Sequence, residues 1–163
     1  MPDNAVPQPD PPTLDAFPYR RAFPTRWNDN DVFGHVNNTI YYAAMDTTVT
    51  TWLTQEARLD PTTGEWIVVV LSSSCRFHES AVFPDLIEVG LRAERLGRTS
   101  LVWSFGLFRQ SDHALLATGE FVHVVLPRAG DGRPAPIPSD LRARIERAFP
   151  LATTASTTTT TTP

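Results

Sequence analysis

Arg26-Trp27-Asn28-Asp29-Asn30-Asp31-Val32-Phe33-Gly34-His35-Val36-Asn37-Asn38-Thr39-Ile40-Tyr41-Tyr42 is the stretch that decides how this 163-residue chain is read. Two acids, Asp29 and Asp31, occupy a turn, and Gly34, His35, Asn37 and Asn38 lie between them and a long helical pattern. Asn37 is placed to cap that helix, because its side chain can accept a hydrogen bond from a first-turn N–H. A carboxylate held over a helix N-terminus is a compact hydrolytic arrangement. The acid attacks or activates water while the helix-end N–H groups polarise a carbonyl.

Outward from this turn the pattern changes twice. On its N-terminal side, Phe17 to Trp27 predicts a first strand, interrupted by Pro24, which favours an edge or a bulge. On its C-terminal side, Asn38 to Gln55 is helical, with Tyr41, Met45, Thr48, Val49 and Trp52 along one face. Ala43, Ala44 and Leu53 add apolar area elsewhere on that helix. Strands then dominate. Trp66 to Phe77 is apolar and β-branched before turning polar at Ser72–Ser74. Ile87, Val89, Leu91 and Ala93 alternate with Glu88, Gly90, Arg92 and Glu94, which predicts a half-buried strand with one wet face. Leu101, Trp103, Phe105 and Leu107 continue the alternation, Ser111–His113 makes a hairpin turn, and Leu115 to Leu126 returns. Ser139 to Phe149 reads as a short terminal helix capped by Ser139. The order is strand, long helix, about four strands in a meander, small helix. It specifies an α+β domain in which an antiparallel sheet of about five strands wraps one long central helix.

Composition bounds the function. Hydrophobic residues make up 41% of the chain, enough for an ordinary core. The net charge of −4 disfavours nucleic acid, which asks for a basic face. All 14 basic residues are Arg, which excludes a Schiff-base lysine and a Walker-type loop while leaving phosphate binding open. Cys75 is the only cysteine, so no intrachain disulfide is possible and nothing points to secretion. Met1 to Pro12 is rich in Pro and Asp and does not read as a signal peptide. No apolar run approaches membrane-spanning length, so a cytoplasmic protein without membrane partners is expected. Residues 1–16 read as a flexible Pro-rich leader, 17–151 as a single domain, and 152–163 as a disordered Thr-rich tail.

The element order and the acidic motif resemble the hotdog-fold thioesterases, in particular the 4-hydroxybenzoyl-CoA thioesterase-like acyl-CoA hydrolases. The family pattern runs Asp, any residue, Asp, two residues, Gly, a short segment with Asn, then Tyr. Here it reads Asp29-Asn30-Asp31-Val32-Phe33-Gly34-His35-Val36-Asn37-Asn38, followed by Tyr41 and Tyr42. Weaker matches follow in order: Leu96-Gly97-Arg98-Thr99-Ser100, Ala117-Thr118-Gly119 and Pro136-Ile137-Pro138. The resemblance spans roughly Phe17 to Phe149. It implies a hotdog fold and hydrolysis of an acyl-CoA to a free acid and CoA, with no cofactor. By that likeness Asp31 is the catalytic acid, and the Asn38 backbone N–H grips the thioester oxygen. It also implies a homodimer or homotetramer with its active sites at the subunit interface. Gly34 and Tyr41 are assigned to substrate binding with the motif. Arg98, Thr99, Ser100 and Arg128 are candidates for the CoA tail by placement.

The chemistry agrees with few polar groups. A thioester oxygen gains negative charge on attack, and one aimed N–H plus the helix dipole would stabilise it by a few kcal/mol in a dry site. A thiolate leaves readily, so little proton donation is needed. Asp31 serves as nucleophile or as general base on water. Asn37 is a cap and a candidate orienter of water or carbonyl. His35 is a candidate general base, with packing in the loop as the simpler reading. Asp29 is read as structural, and Thr48 as a hydroxyl bonded to the preceding helical turn. Cys75 reads as a small buried residue, and His78, His113 and His123 lack the spacing of a zinc site, so no metal is expected. Arg92, Arg95 and Arg98 form either a phosphate-facing patch or solvated charges. No Gly-x-Ser-x-Gly elbow is present, and the Asp-x-Asn-Pro-x-His spacing of hotdog hydratases is missing. An acyl carrier protein in place of CoA, and a non-catalytic acyl-CoA-binding protein, are the alternatives.

Overall fold

The Asp-rich turn does deliver a long helix. In the computed structural model, which describes residues 11–151, α1 spans Asn38–Thr51 and is capped by Asn37, whose Oδ1 accepts from the Thr39 N–H at 3.0 Å. Its buried side comprises Tyr41, Ala44, Met45, Thr48 and Val49. Thr48 Oγ1 donates to the Ala44 carbonyl at 2.7 Å, so its hydroxyl is satisfied inside the core. The helical pattern continues to Glu56 as a π-helical turn over Trp52–Glu56, where the α ladder was expected to run to Gln55. Thr51 and Thr54 hydroxyls take the carbonyls of Thr47 and Thr50, and such back-bonding by β-branched residues loosens the regular ladder.

Five strands wrap this helix: β1 (Tyr19–Pro24), β2 (Trp66–Phe77), β3 (Leu86–Leu96), β4 (Ser100–Arg109) and β5 (Leu115–Pro127), all antiparallel in the order β1-β3-β4-β5-β2. The architecture is the α+β hotdog arrangement. Alternation sets the inner face: Val89 and Leu91 of β3, Trp103 and Phe105 of β4, and Phe121 and Val125 of β5 meet α1 in the core. Each such side chain contributes about 1.5–3 kcal/mol by leaving water. Trp52, Trp103 and Phe149 close one end of the core, with ring centroids 4.9–5.4 Å apart.

Three expectations change. The first strand is shorter than Phe17–Trp27, because Phe17 leaves the strand line and Pro24, lacking an N–H, ends the pairing. The outer face of β3 is not wet along its length. Gly90 and Gly106 pair across β3 and β4 and form a notch filled by the Phe17 ring, which is 1% exposed. A Cβ at either glycine would lie 2.5 Å from that ring. Finally, Ser139 is the first residue of α2 (Ser139–Ala148) and not its cap. Pro138 holds the cap position, and its carbonyl accepts the Arg142 N–H at 2.9 Å.

Of the leader read over residues 1–16, residues 1–10 lie outside the described residues, as does the Thr-rich tail from residue 152, while Leu14–Ala16 form a short 3-10 turn. Among the described residues no helix is long and apolar enough to cross a membrane.

Candidate active site

Asp29 and Asp31 are separated by burial. Asp29 is 2% exposed; its carboxylate accepts from the Arg26 backbone N–H at 2.8 Å and from the Arg26 guanidinium at 2.9 Å, and its carbonyl accepts the Asn37 N–H at 2.8 Å. It ties the start of the loop to the cap of α1. Asp31 is half-buried. Its Oδ1 accepts the Phe33 N–H at 2.8 Å, while Oδ2 accepts no hydrogen bond among the described residues. Gly34 turns the chain at φ +83°, a conformation glycine adopts without strain. The Gly34 N–H closes the turn on the Asp31 carbonyl at 3.1 Å, and the Asp31 N–H reaches the His35 carbonyl at 2.8 Å.

Asp31 opens on a cleft of about 410 Å³ lined by Asp31, Val36, Asn38, Tyr41 and the Phe77–Ser80 segment that follows β2. Asn38 is the first residue of α1, so its N–H has no acceptor within the helix. Tyr41 is 3% exposed; its Oη accepts the Ala81 N–H at 3.0 Å and its ring meets Phe77 edge-on at 5.2 Å. Burial raises the Tyr41 pKa, so its hydroxyl stays protonated. A partly free carboxylate, an open helix-end N–H and an aromatic wall thus share one cleft.

The other candidates fall elsewhere. His35 points to solvent and contributes only its carbonyl. Asn37 caps α1 and does not line the cleft. Arg98 and Thr99 lie in the β3–β4 turn and Ser100 opens β4; the Thr99 carbonyl accepts the Val125 N–H at 3.2 Å and the Arg98 carbonyl the Ile137 N–H at 2.8 Å. Arg128 donates to the carbonyls of Gly64 (2.6 Å) and Pro61 (3.0 Å). These four lie at the Trp66 end of β2, about 36 Å of strand from Phe77 within one chain. Val36, Phe77, His78, Glu79 and Ser80 were not foreseen in the cleft. The His78 ring leans 3.2 Å from Thr118 Oγ1, which shares the outer sheet face with Gly106.

Cys75 faces the core from β2, and burial pushes its thiol up to about 11. Arg92 pairs with Glu94 and lies over the Phe17 ring at 5.5 Å. Among the described residues no three His, Cys, Asp or Glu side chains gather as a metal site.

The sequence profile of the thioesterase-like superfamily matches residues 25–145, a span that holds the acidic turn, α1 and strands β2 to β5. The chain belongs to the thioesterase-like superfamily. It is thereby a thioester hydrolase. Solved structures agree. A Pseudomonas aeruginosa protein is 40% identical, with a TM-score of 0.80 over 85% of this chain and 96% of its own. A Thermus thermophilus thioesterase, crystallised with coenzyme A and zinc, is 30% identical, with a TM-score of 0.70 over 82% of this chain and 96% of its own. A candidate thioesterase from Pseudomonas aeruginosa is 31% identical, with a TM-score of 0.73 over 79% and 98% of the two chains. No curated protein matches this thioesterase by sequence.

Proposed function

We propose that this thioesterase hydrolyses an acyl-CoA to the free acid and CoA in the cytoplasm, using Asp31 as nucleophile or as general base on water. The observation that carries the reading is the shared cleft: the unengaged Asp31 Oδ2 and the N-terminus of α1 open on the same space. Attack on the thioester carbon moves charge onto its oxygen. The Asn38 N–H and the positive end of the helix dipole would stabilise that charge. The thiolate then departs without a strong general acid. CoA as carrier is supported by the coenzyme bound to the Thermus thermophilus relative.

The working unit in this reading is at least a dimer joined along β2. That strand is a 12-residue sheet edge with Val70 and Leu71 exposed, 45% and 68% respectively. A long apolar edge is a template for pairing. Two-fold pairing of antiparallel edges would set the partner's Trp66 end against this chain's Phe77 end. Arg98, Thr99, Ser100 and Arg128 of the second copy would then approach the Asp31 cleft, where the CoA tail emerges.

The test is Asp31→Asn, assayed by CoA release across a panel of acyl-CoAs. The expected result is a kcat lower by about 10²–10⁴-fold with KM nearly unchanged and native circular dichroism. Unchanged turnover would remove Asp31 from the mechanism.

A further inference from the structure

We propose that Arg109 is a positioning residue for the Asp31 cleft, acting from outside it through the loop of residues 79–85. The inference rests on the role given to Asp31 above. Arg109 ends β4, and its side chain is 19% exposed. Its guanidinium reaches four groups at once. Nη1 donates to Asp112 in the β4–β5 hairpin at 2.7 Å, and Nε to Asp85 at 3.3 Å. Nη2 donates to the Ser80 carbonyl at 2.9 Å and reaches Glu79 at 3.5 Å. Asp85 is itself held, accepting the Val82 N–H at 3.0 Å on its carboxylate and the Thr25 hydroxyl at 2.6 Å on its carbonyl.

The far side of the same loop is sewn to the catalytic turn. Ala81 is fully buried; its carbonyl accepts the Val36 N–H at 2.8 Å and its N–H donates to Tyr41 Oη at 3.0 Å. The Phe83 N–H donates to Asn30 Oδ1 at 3.2 Å. Asn30 and Val36 bridge each other across the turn that carries Asp31. The loop therefore holds both flanks of Asp31 and the ring of Tyr41, and Arg109 holds the loop. Glu79 and Ser80, which Arg109 touches, also wall the cleft.

Only a planar fork of donors spans Ser80, Asp85 and Asp112 together; a lysine ammonium restores the charge but not that reach. Without the guanidinium, Glu79, Asp85 and Asp112 lose the cation they share, and the loop moves with the turn it supports. A displacement of about 1 Å at a reacting group costs about a hundredfold in rate. Because the loop sets attack geometry more than substrate grip, the loss belongs in kcat.

The test uses Arg109→Ala and Arg109→Lys in the full chain, beside Asp31→Asn and Tyr41→Phe. Arg109→Ala is expected to lower kcat about 30- to 100-fold with KM within about twofold, and Arg109→Lys about tenfold. Added ethylguanidinium should restore Arg109→Ala several-fold and leave Asp31→Asn inactive. Arg109→Lys combined with Tyr41→Phe should lose less than the product of the two single losses, because both act through one loop. Turnover within twofold of wild type in the Arg109 variants, with Asp31→Asn inactive, overturns the proposal. So does a loss that multiplies with Tyr41→Phe and resists ethylguanidinium. Full turnover in Asp31→Asn strikes the role of Asp31 instead. Arg109→Lys carries the test if Arg109→Ala does not fold.

Discussion

Asp29 and Asp31 stand two positions apart in different surroundings, and their partners set them apart. Asp29 spends its carboxylate on Arg26 and its carbonyl on Asn37, whereas Asp31 keeps one oxygen free. The family resemblance assigns the catalytic role to Asp31 and leaves Asp29 structural, and the bonds of Asp29 to Arg26 and Asn37 are those of a brace. Cleft residues contributed by distant chain were illegible: Glu79 and Ser80 come to the site through the Val36–Ala81 hydrogen bond, which no local pattern announces. Another residue outside the motif bears on stability. His123 is 4% exposed, and burial pushes its pKa down to about 4 from 6.5. Its Nδ1 accepts the Trp103 Nε1–H at 3.1 Å, which requires that nitrogen to be unprotonated. The unfolded chain binds a proton here below pH 6.5 while the folded chain does not. The stability is thus complete above pH 6.5 and drains away as pH falls toward 4, by about 3 kcal/mol from this residue. Urea denaturation across that window should show the slope. His123→Gln, which keeps an acceptor for Trp103, should flatten it.

At the scale of elements, periodicity carried most of the fold. α1 and four of the strands follow from alternation and from a stripe of core residues, because each presents one continuous apolar face. The misjudged parts depend on partners far away in sequence. Gly90 and Gly106 are 16 positions apart and become a notch only when β3 and β4 pair, so nothing local showed that Phe17 would leave the strand and enter it. Gly106→Val would push the ring out and expose its surface to water. A loss of about 2–3 kcal/mol is expected, read as a lowered unfolding midpoint in denaturant. Activity per folded molecule should hold, since the notch lies on the opposite sheet face from the core and α1.

For the whole molecule, β2 stands at the edge of the described sheet with Val70 and Leu71 exposed, and its Phe77 end lies beside the Asp31 cleft. Val70→Lys places a charge in that edge. In the dimeric reading, sedimentation should report a halved mass, and turnover should fall although Asp31 and α1 are untouched. A dimeric mass with normal turnover would detach the edge from function. The sequence showed β2 as a strand, but not which strand would be left at the rim, because strand order is a property of the closed sheet.

The lone sulfur on β2 has a practical consequence at the bench. With burial pushing its thiol up to about 11, Cys75 stays overwhelmingly protonated at pH 7.5. A chromogenic disulfide reagent added to the reaction mixture should therefore develop almost no colour from the catalyst itself. Progress curves can be followed continuously from the first second, without a blank drifting beneath them.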